Sequence, residues 1–200
     1  MMTFRATKLA RAQEVLSKMT PKPKVLLEFG TFVGSSAVGW GAILKDLHKD
    51  DPDALKQSRV YTFELDPEIA NIARFFISLA GLEDIVTVLD GKPASECLRE
   101  LYNQGKVVKG GVDAAFFDHA KEHYVPDLKL VGDELGLSRV GSVAIADNTD
   151  FPGAPEYVEF MRRGGDRVKF DSKTYLGDEP GTKAVSYLNR EVVYPYLESC

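Results

Sequence analysis

The feature that most constrains this chain is a rhythm. Short apolar runs alternate with helical patterns, and nearly every run ends in an acidic residue or a glycine. The runs are residues 25–28, 60–64, 86–89, 114–118 and 142–147, with helical spacing over 36–48, over 67–80, through Leu98 and through Val131. Strand and helix in strict alternation require a parallel sheet whose crossovers are right-handed. Ahead of this block, Leu9, Ala12, Val15, Leu16 and Met19 mark an amphipathic helix over residues 6–19, which Pro21 and Pro23 stop. After Gly153 the rhythm changes to a helix over 155–163 and two strand-like stretches, 168–176 and 183–188. The turn-rich residues 177–181 join these stretches, which predicts a closing antiparallel hairpin. Residues 49–53 and 105–111 read as solvated loops. The expected fold is therefore α/β, a mostly parallel seven-stranded sheet with helices on both faces, built as a single domain over residues 1–200.

Charge and cysteine usage narrow the partners. A net charge of −5 and a pI near 5.3 exclude a protein that grips nucleic acid through its phosphates, which needs a concentrated basic surface. A small molecule is the expected partner. Cys97 and Cys200 have no metal-ligand spacing and suggest neither a disulfide framework nor a zinc site. No apolar run approaches the ~20 residues of a membrane helix, and residues 1–11 lack the apolar core of a signal peptide. The expectation is a cytoplasmic protein with no membrane segment; the sequence leaves its oligomeric state open.

In an open α/β sheet ligands bind beyond the carboxyl ends of the strands. The first run leads into Glu28-Phe29-Gly30-Thr31-Phe32-Val33-Gly34, with a helix N-terminus near Ser35 and Ser36. Such a turn lets backbone approach a ligand, or simply packs a helix on a strand. It lacks the GxGxxG pattern of pyrophosphate binders, which disfavours a nicotinamide dehydrogenase. Glu64 ends the second run, where a carboxylate can accept from both hydroxyls of a ribose. Its alternative use, capping the next helix, is already filled by Asp66 ahead of Pro67. Asp90-Gly91 either touches a base or turns the chain. The fourth and fifth runs end in Asp118-His119-Ala120-Lys121 and Asp147-Asn148. Neighbouring parallel strands lie ~5 Å apart, so these oxygen donors can share one cation. A small oxygen-only set suits magnesium, against two alternatives: acids that merely cap loops, or a zinc site built on His119.

These residues resemble the catechol O-methyltransferases, a branch of the class I S-adenosylmethionine-dependent methyltransferases. The likeness runs from about residue 24 to 160 and rests on five segments. They are Val25-Leu26-Leu27-Glu28-Phe29-Gly30 with Gly34-Ser35-Ser36-Ala37-Val38, Phe63-Glu64-Leu65-Asp66-Pro67, Ala80-Gly81-Leu82, Phe117-Asp118-His119-Ala120-Lys121 with Tyr124, Pro126 and Asp127, and Ala146-Asp147-Asn148 with Pro152-Gly153-Ala154-Pro155. The resemblance implies a Rossmann-like class I methyltransferase fold and magnesium-dependent methyl transfer from S-adenosylmethionine to a hydroxyl of a catechol-like small molecule. It implies that Glu28, Gly30, Phe32 and Ser36 line the methionine end of the cofactor and that Glu64 holds its ribose. Gly34, Leu65, Gly91, Asp118 and His119 would make further cofactor contacts. Asp118, Asp147 and Asn148 would bind magnesium, Lys121 would be the general base, and Lys121, Asn148, Pro152 and Asp178 would face the substrate. Two departures stand out: Ala120 occupies a position where the animal enzymes usually carry tryptophan, and Asp178 or Glu179 would replace a family glutamate. The alternative is a non-catalytic relative that binds S-adenosylmethionine without turnover.

Overall fold

The computed structural model describes residues 6–164, 168–175 and 185–192. Helix α1 (Ala6–Ser17) precedes the sheet. β1 (Val25–Phe29), α2 (Ser35–Leu47), α3 (Pro52–Gln57), β2 (Arg59–Glu64), α4 (Pro67–Leu79), β3 (Val86–Asp90), α5 (Ala94–Asn103) and β4 (Val112–Phe117) follow. A 3-10 turn (Lys121–His123) leads through α6 (Tyr124–Lys129) to β5 (Ser138–Ala146), α7 (Pro155–Arg163), β6 (Val168–Tyr175) and β7 (Val185–Val192). The strands form one sheet in the order β3-β2-β1-β4-β5-β7-β6. β1 to β5 run parallel, and β7 pairs antiparallel with both β5 and β6. The chain order reverses between β1 and β4, the switch point at which such sheets open a crevice.

Alternation along the strands divides the core into two layers. Leu27, Phe29, Tyr61, Phe63, Ala115 and Phe117 face α5, α6 and α7, whose Leu98, Tyr124 and Met161 complete that layer. Leu26, Val60, Ala114, Phe116, Val143 and Ile145 face α1, α2 and α4, meeting Leu16, Trp40 and Ile77. Parity then carries Glu28, Asp118 and Asp147 toward the second layer, on the side covered by α1 and α2.

Several boundaries differ from the sequence reading for identifiable reasons. Residues 49–53 are not only loop: Asp51 accepts from the Ala54 amide at 3.0 Å and Pro52 starts α3, a capping signal legible in Asp51-Pro52. α1 ends at Ser17, because the amides of Lys18 and Met19 turn back to Val15 and Leu16 in tighter i to i−3 bonds. β5 begins at Ser138 rather than residue 142. Its register against β4 slips between the pairs Val112↔Ser138 and Ala114↔Val143, so extra residues bulge from β5 at its start. The connection at 177–181, with Asp178 and Glu179, lies outside the described residues.

Candidate active site

The turn leaving β1 bends at Gly30 and Gly34, where backbone angle and space both call for glycine. Gly30 has φ +102°, and a Cβ there would stand 2.6 Å from the Asp118 carbonyl oxygen. β1 and the β4 exit therefore touch main chain to main chain, with the Asp118 amide donating to Phe29 O at 2.9 Å. Gly34, at φ +85°, caps α2, and a Cβ on it would meet the Ala73 Cα at 3.1 Å. Between them Phe32 adopts φ 49° and is 41% exposed, at the open end of the sheet.

Glu28 is sealed inside the fold. It is 0% exposed; Trp40 Nε1 donates to one oxygen at 3.0 Å, and Thr62 Oγ1 to the other at 2.6 Å. Ser36, itself buried, bonds to the same carboxylate. Burial pushes the Glu28 carboxyl up to about 7, against the lowering effect of these hydrogen bonds. Trp40, inside α2, thus has a polar partner as well as its contact with Phe116. Glu28 and Ser36 form a polar knot beneath the turn.

Glu64 ends β2 half-exposed at the crevice rim. One oxygen accepts from the Phe32 amide at 2.7 Å and the other from the Asp66 amide at 3.1 Å. Asp66 is the cap of α4, accepting from the Glu68 amide at 2.8 Å, as the sequence indicates. Leu65 points outward, 66% exposed. At the next strand end Asp90 is ion-paired with Arg74, and Gly91 turns the chain at φ +75°.

The fourth and fifth strand ends come together as their register dictates. Phe117 pairs with Ala146, so Asp118 and Asp147 lie one step further on adjacent strands. The Asp118 carboxyl is raised to about 6 by burial and then by the charge of Asp147, partly relieved by Lys121 and Lys8. Lys121 Nζ stands 3.6 Å from Asp118 Oδ1 and 3.5 Å from the Asp147 carbonyl oxygen. It also contacts the Tyr124 hydroxyl, which donates to that same carbonyl at 3.0 Å. Burial drives the Tyr124 phenol well above the ordinary tyrosine range, so it stays a neutral donor. Asp147 Oδ1 accepts from the Asn148 amide at 2.7 Å and from Lys8 Nζ at 2.6 Å. Asn148 is left-handed, φ 61°, and Pro152 follows in the tight turn Thr149–Gly153.

His119 is held elsewhere than a zinc site requires. Its Nε2 bonds Asp127 Oδ2 at 2.8 Å, and its ring stacks on Tyr124 at 5.2 Å. Among the described residues no three His, Cys, Asp or Glu side chains gather as a metal-holding group. The donors at the two strand ends are the carboxylates of Asp118 and Asp147, followed in the chain by Asn148. An acid whose carboxyl is raised by burial and by the charge of a second acid beside it makes a site that a hard cation relieves, so these residues fit magnesium.

The sequence reading missed Lys8 and gave no role to Tyr124 or Asp127, which it quoted only as part of the family motif. Lys8 had a signal: it lies on the stripe of Ala12 and Leu16, the three buried residues of α1, and a lysine in such a stripe needs a buried partner.

Comparison with known proteins agrees with this architecture. The profile of the Methyltransferase domain family matches residues 27–149. Catechol O-methyltransferase of Sus scrofa is 38% identical over 144 residues, 72% of this chain and 70% of that protein. The Bos taurus enzyme of the same name is 37% identical over 141 residues, 70% of this chain but 47% of its own length. The chain therefore spans about half the length of this relative. Among solved structures, the O-methyltransferase of Bacillus cereus in complex with SAH superposes with a TM-score of 0.68 at 22% identity, covering 94% of this chain and 82% of that one. The O-methyltransferase TomG of Streptomyces achromogenes, involved in tomaymycin synthesis and solved with SAM, gives 0.71 at 22% identity, with the same coverage. Strand order and structural likeness define a Rossmann-like class I methyltransferase fold. Within that class, the chain belongs to the Methyltransferase domain family, as a catechol O-methyltransferase-like member.

Proposed function

We propose that this chain is a single-domain, magnesium-dependent O-methyltransferase that moves a methyl group from S-adenosylmethionine to one hydroxyl of an aromatic vicinal diol. The observation that carries the reading is the convergence of Asp118 and Asp147 on neighbouring strand ends, with Lys121 Nζ 3.6 Å from Asp118. Membership of a family with named catechol O-methyltransferases supports the substrate class.

Asp118, Asp147 and Asn148 hold the cation, which when bound favours the ionised form of the two substrate oxygens. Glu64 accepts from the cofactor ribose, and its existing bonds to the Phe32 and Asp66 amides keep the carboxylate aimed at the crevice. Gly30, Phe32 and Gly34 supply backbone beside the methionine end, and Gly91 and His119 flank the adenosine end. Glu28 and Ser36 support that wall from below. Lys121 takes the proton of the attacking hydroxyl, positioned by the Asp147 carbonyl and by the ring and hydroxyl of Tyr124. Pro152 borders the substrate. Much of the acceleration comes from holding acceptor and methyl in line.

Single-turnover kinetics on two variants test the reading. Lys121→Met is expected to lower the methyl-transfer rate about 10²–10⁴-fold while cofactor affinity stays near wild type. Asp147→Ala is expected to lose metal binding and activity together. A near wild-type rate in either variant assigns its role to another group.

A further inference from the structure

The inward face of α1 carries Lys8, Ala12 and Leu16. Ala12 and Leu16 lie wholly inside the apolar layer. A lysine on the same stripe is costly unless its charge is matched. It is matched across 139 positions of sequence: Lys8 Nζ lies 2.6 Å from Asp147 Oδ1, with side chains only 9% and 4% exposed. The ammonium also acts on Asp118, whose carboxylate it favours. Helix α1 thus delivers a cation to the acidic pair at the ends of β4 and β5.

We propose that Lys8 is a tethered counter-ion of this pair that competes with the divalent cation: it balances the carboxylates before metal binds and withdraws from Asp147 as metal enters. The proposal rests on the reading that Asp118 and Asp147 hold a metal. Two effects of Lys8 oppose each other. Its hydrogen bond orients Asp147, which favours metal binding by a factor on the order of ten to a hundred. Its charge repels a doubly charged ion bound to the same carboxylate, and at ~5 Å with interior screening that repulsion is much the larger. The Asn148 amide also bonds Asp147 Oδ1, at 2.7 Å, so orientation survives without Lys8. Charge therefore decides the sign, and metal affinity is set partly by how firmly α1 is docked.

Calorimetric titration of Mn²⁺ into the full chain compares wild type, Lys8→Met and Lys8→Arg. Lys8→Met is expected to bind at least tenfold tighter than wild type, and Lys8→Arg, which keeps the charge, within about threefold of it. In wild type, Mn²⁺ is expected to speed amide exchange in the first turns of α1 and leave the turn of Leu16 unchanged. Equal or weaker Mn²⁺ binding by Lys8→Met overturns the proposal and leaves the metal site standing. Absence of Mn²⁺ binding by wild type and variants alike overturns both. If Lys8→Met does not fold, the wild-type exchange decides: unchanged or slower exchange at the start of α1 refutes displacement.

Discussion

Glu64 and Glu28 are both carboxylates at strand positions, yet their surroundings give them opposite work. Glu64 sits at the rim with two backbone donors, and a neutral amide there cannot accept from two hydroxyls as a carboxylate does. Glu64→Gln is expected to weaken S-adenosylmethionine binding by about 1.5–3 kcal/mol, measured by calorimetry, with substrate affinity little changed. Glu28 is sealed under the turn, its carboxyl raised from 4.5 to about 7 by burial. A raised folded-state pKa contributes stability fully below about pH 4.5, and that contribution is lost as pH climbs through 7. Urea unfolding across this window should show wild type losing about 3 kcal/mol relative to Glu28→Gln. A parallel pH dependence in the two proteins would mean that Glu28 is not the titrating group. At this scale the sequence shows the strand-end acids and Lys121, because each follows an apolar run. It could not show that Glu28 is turned inward onto Trp40 and Thr62, or that Lys8 meets Asp147, since both depend on packing between distant elements.

Elements were legible where local chemistry sets them. Pro67 behind the Asp66 cap starts α4, and Pro155 starts α7. α3 escaped the reading because six residues carry too little periodicity, although its cap was visible. The bulged start of β5 escaped because its register depends on pairing with Val112 and Ala114. The seating of α2 on α4 is a consequence of Gly34, which holds a left-handed conformation against the Ala73 backbone. Gly34→Ala adds both strain and a clash, so a loss of about 1–3 kcal/mol is expected, which lowers the melting temperature by roughly 2–12 °C. Wild-type melting in this variant would place the contact elsewhere. Gly30→Ala should be worse, because its Cβ would press on the Asp118 carbonyl itself.

The whole molecule follows from alternation: a parallel sheet opening at its switch point, with both acidic strand ends on the side that α1 covers. That architecture was readable because five runs separated by helices admit few topologies. The expected substrate class came only through resemblance, since no spacing in the sequence specifies a substrate and Asp178, expected to face it, lies outside the described residues. Ala120, in place of a bulky ring, predicts acceptance of larger diphenols, to be checked across a graded panel; tight preference for the smallest would mean another wall. The most direct test of the central claim is transfer of labelled methyl from S-adenosylmethionine to a vicinal diphenol, with magnesium and then with excess chelator. The account predicts labelled monomethyl product with magnesium and none above background under chelation. Full transfer under chelation, or no transfer to any vicinal diphenol with magnesium and bound cofactor, would contradict it.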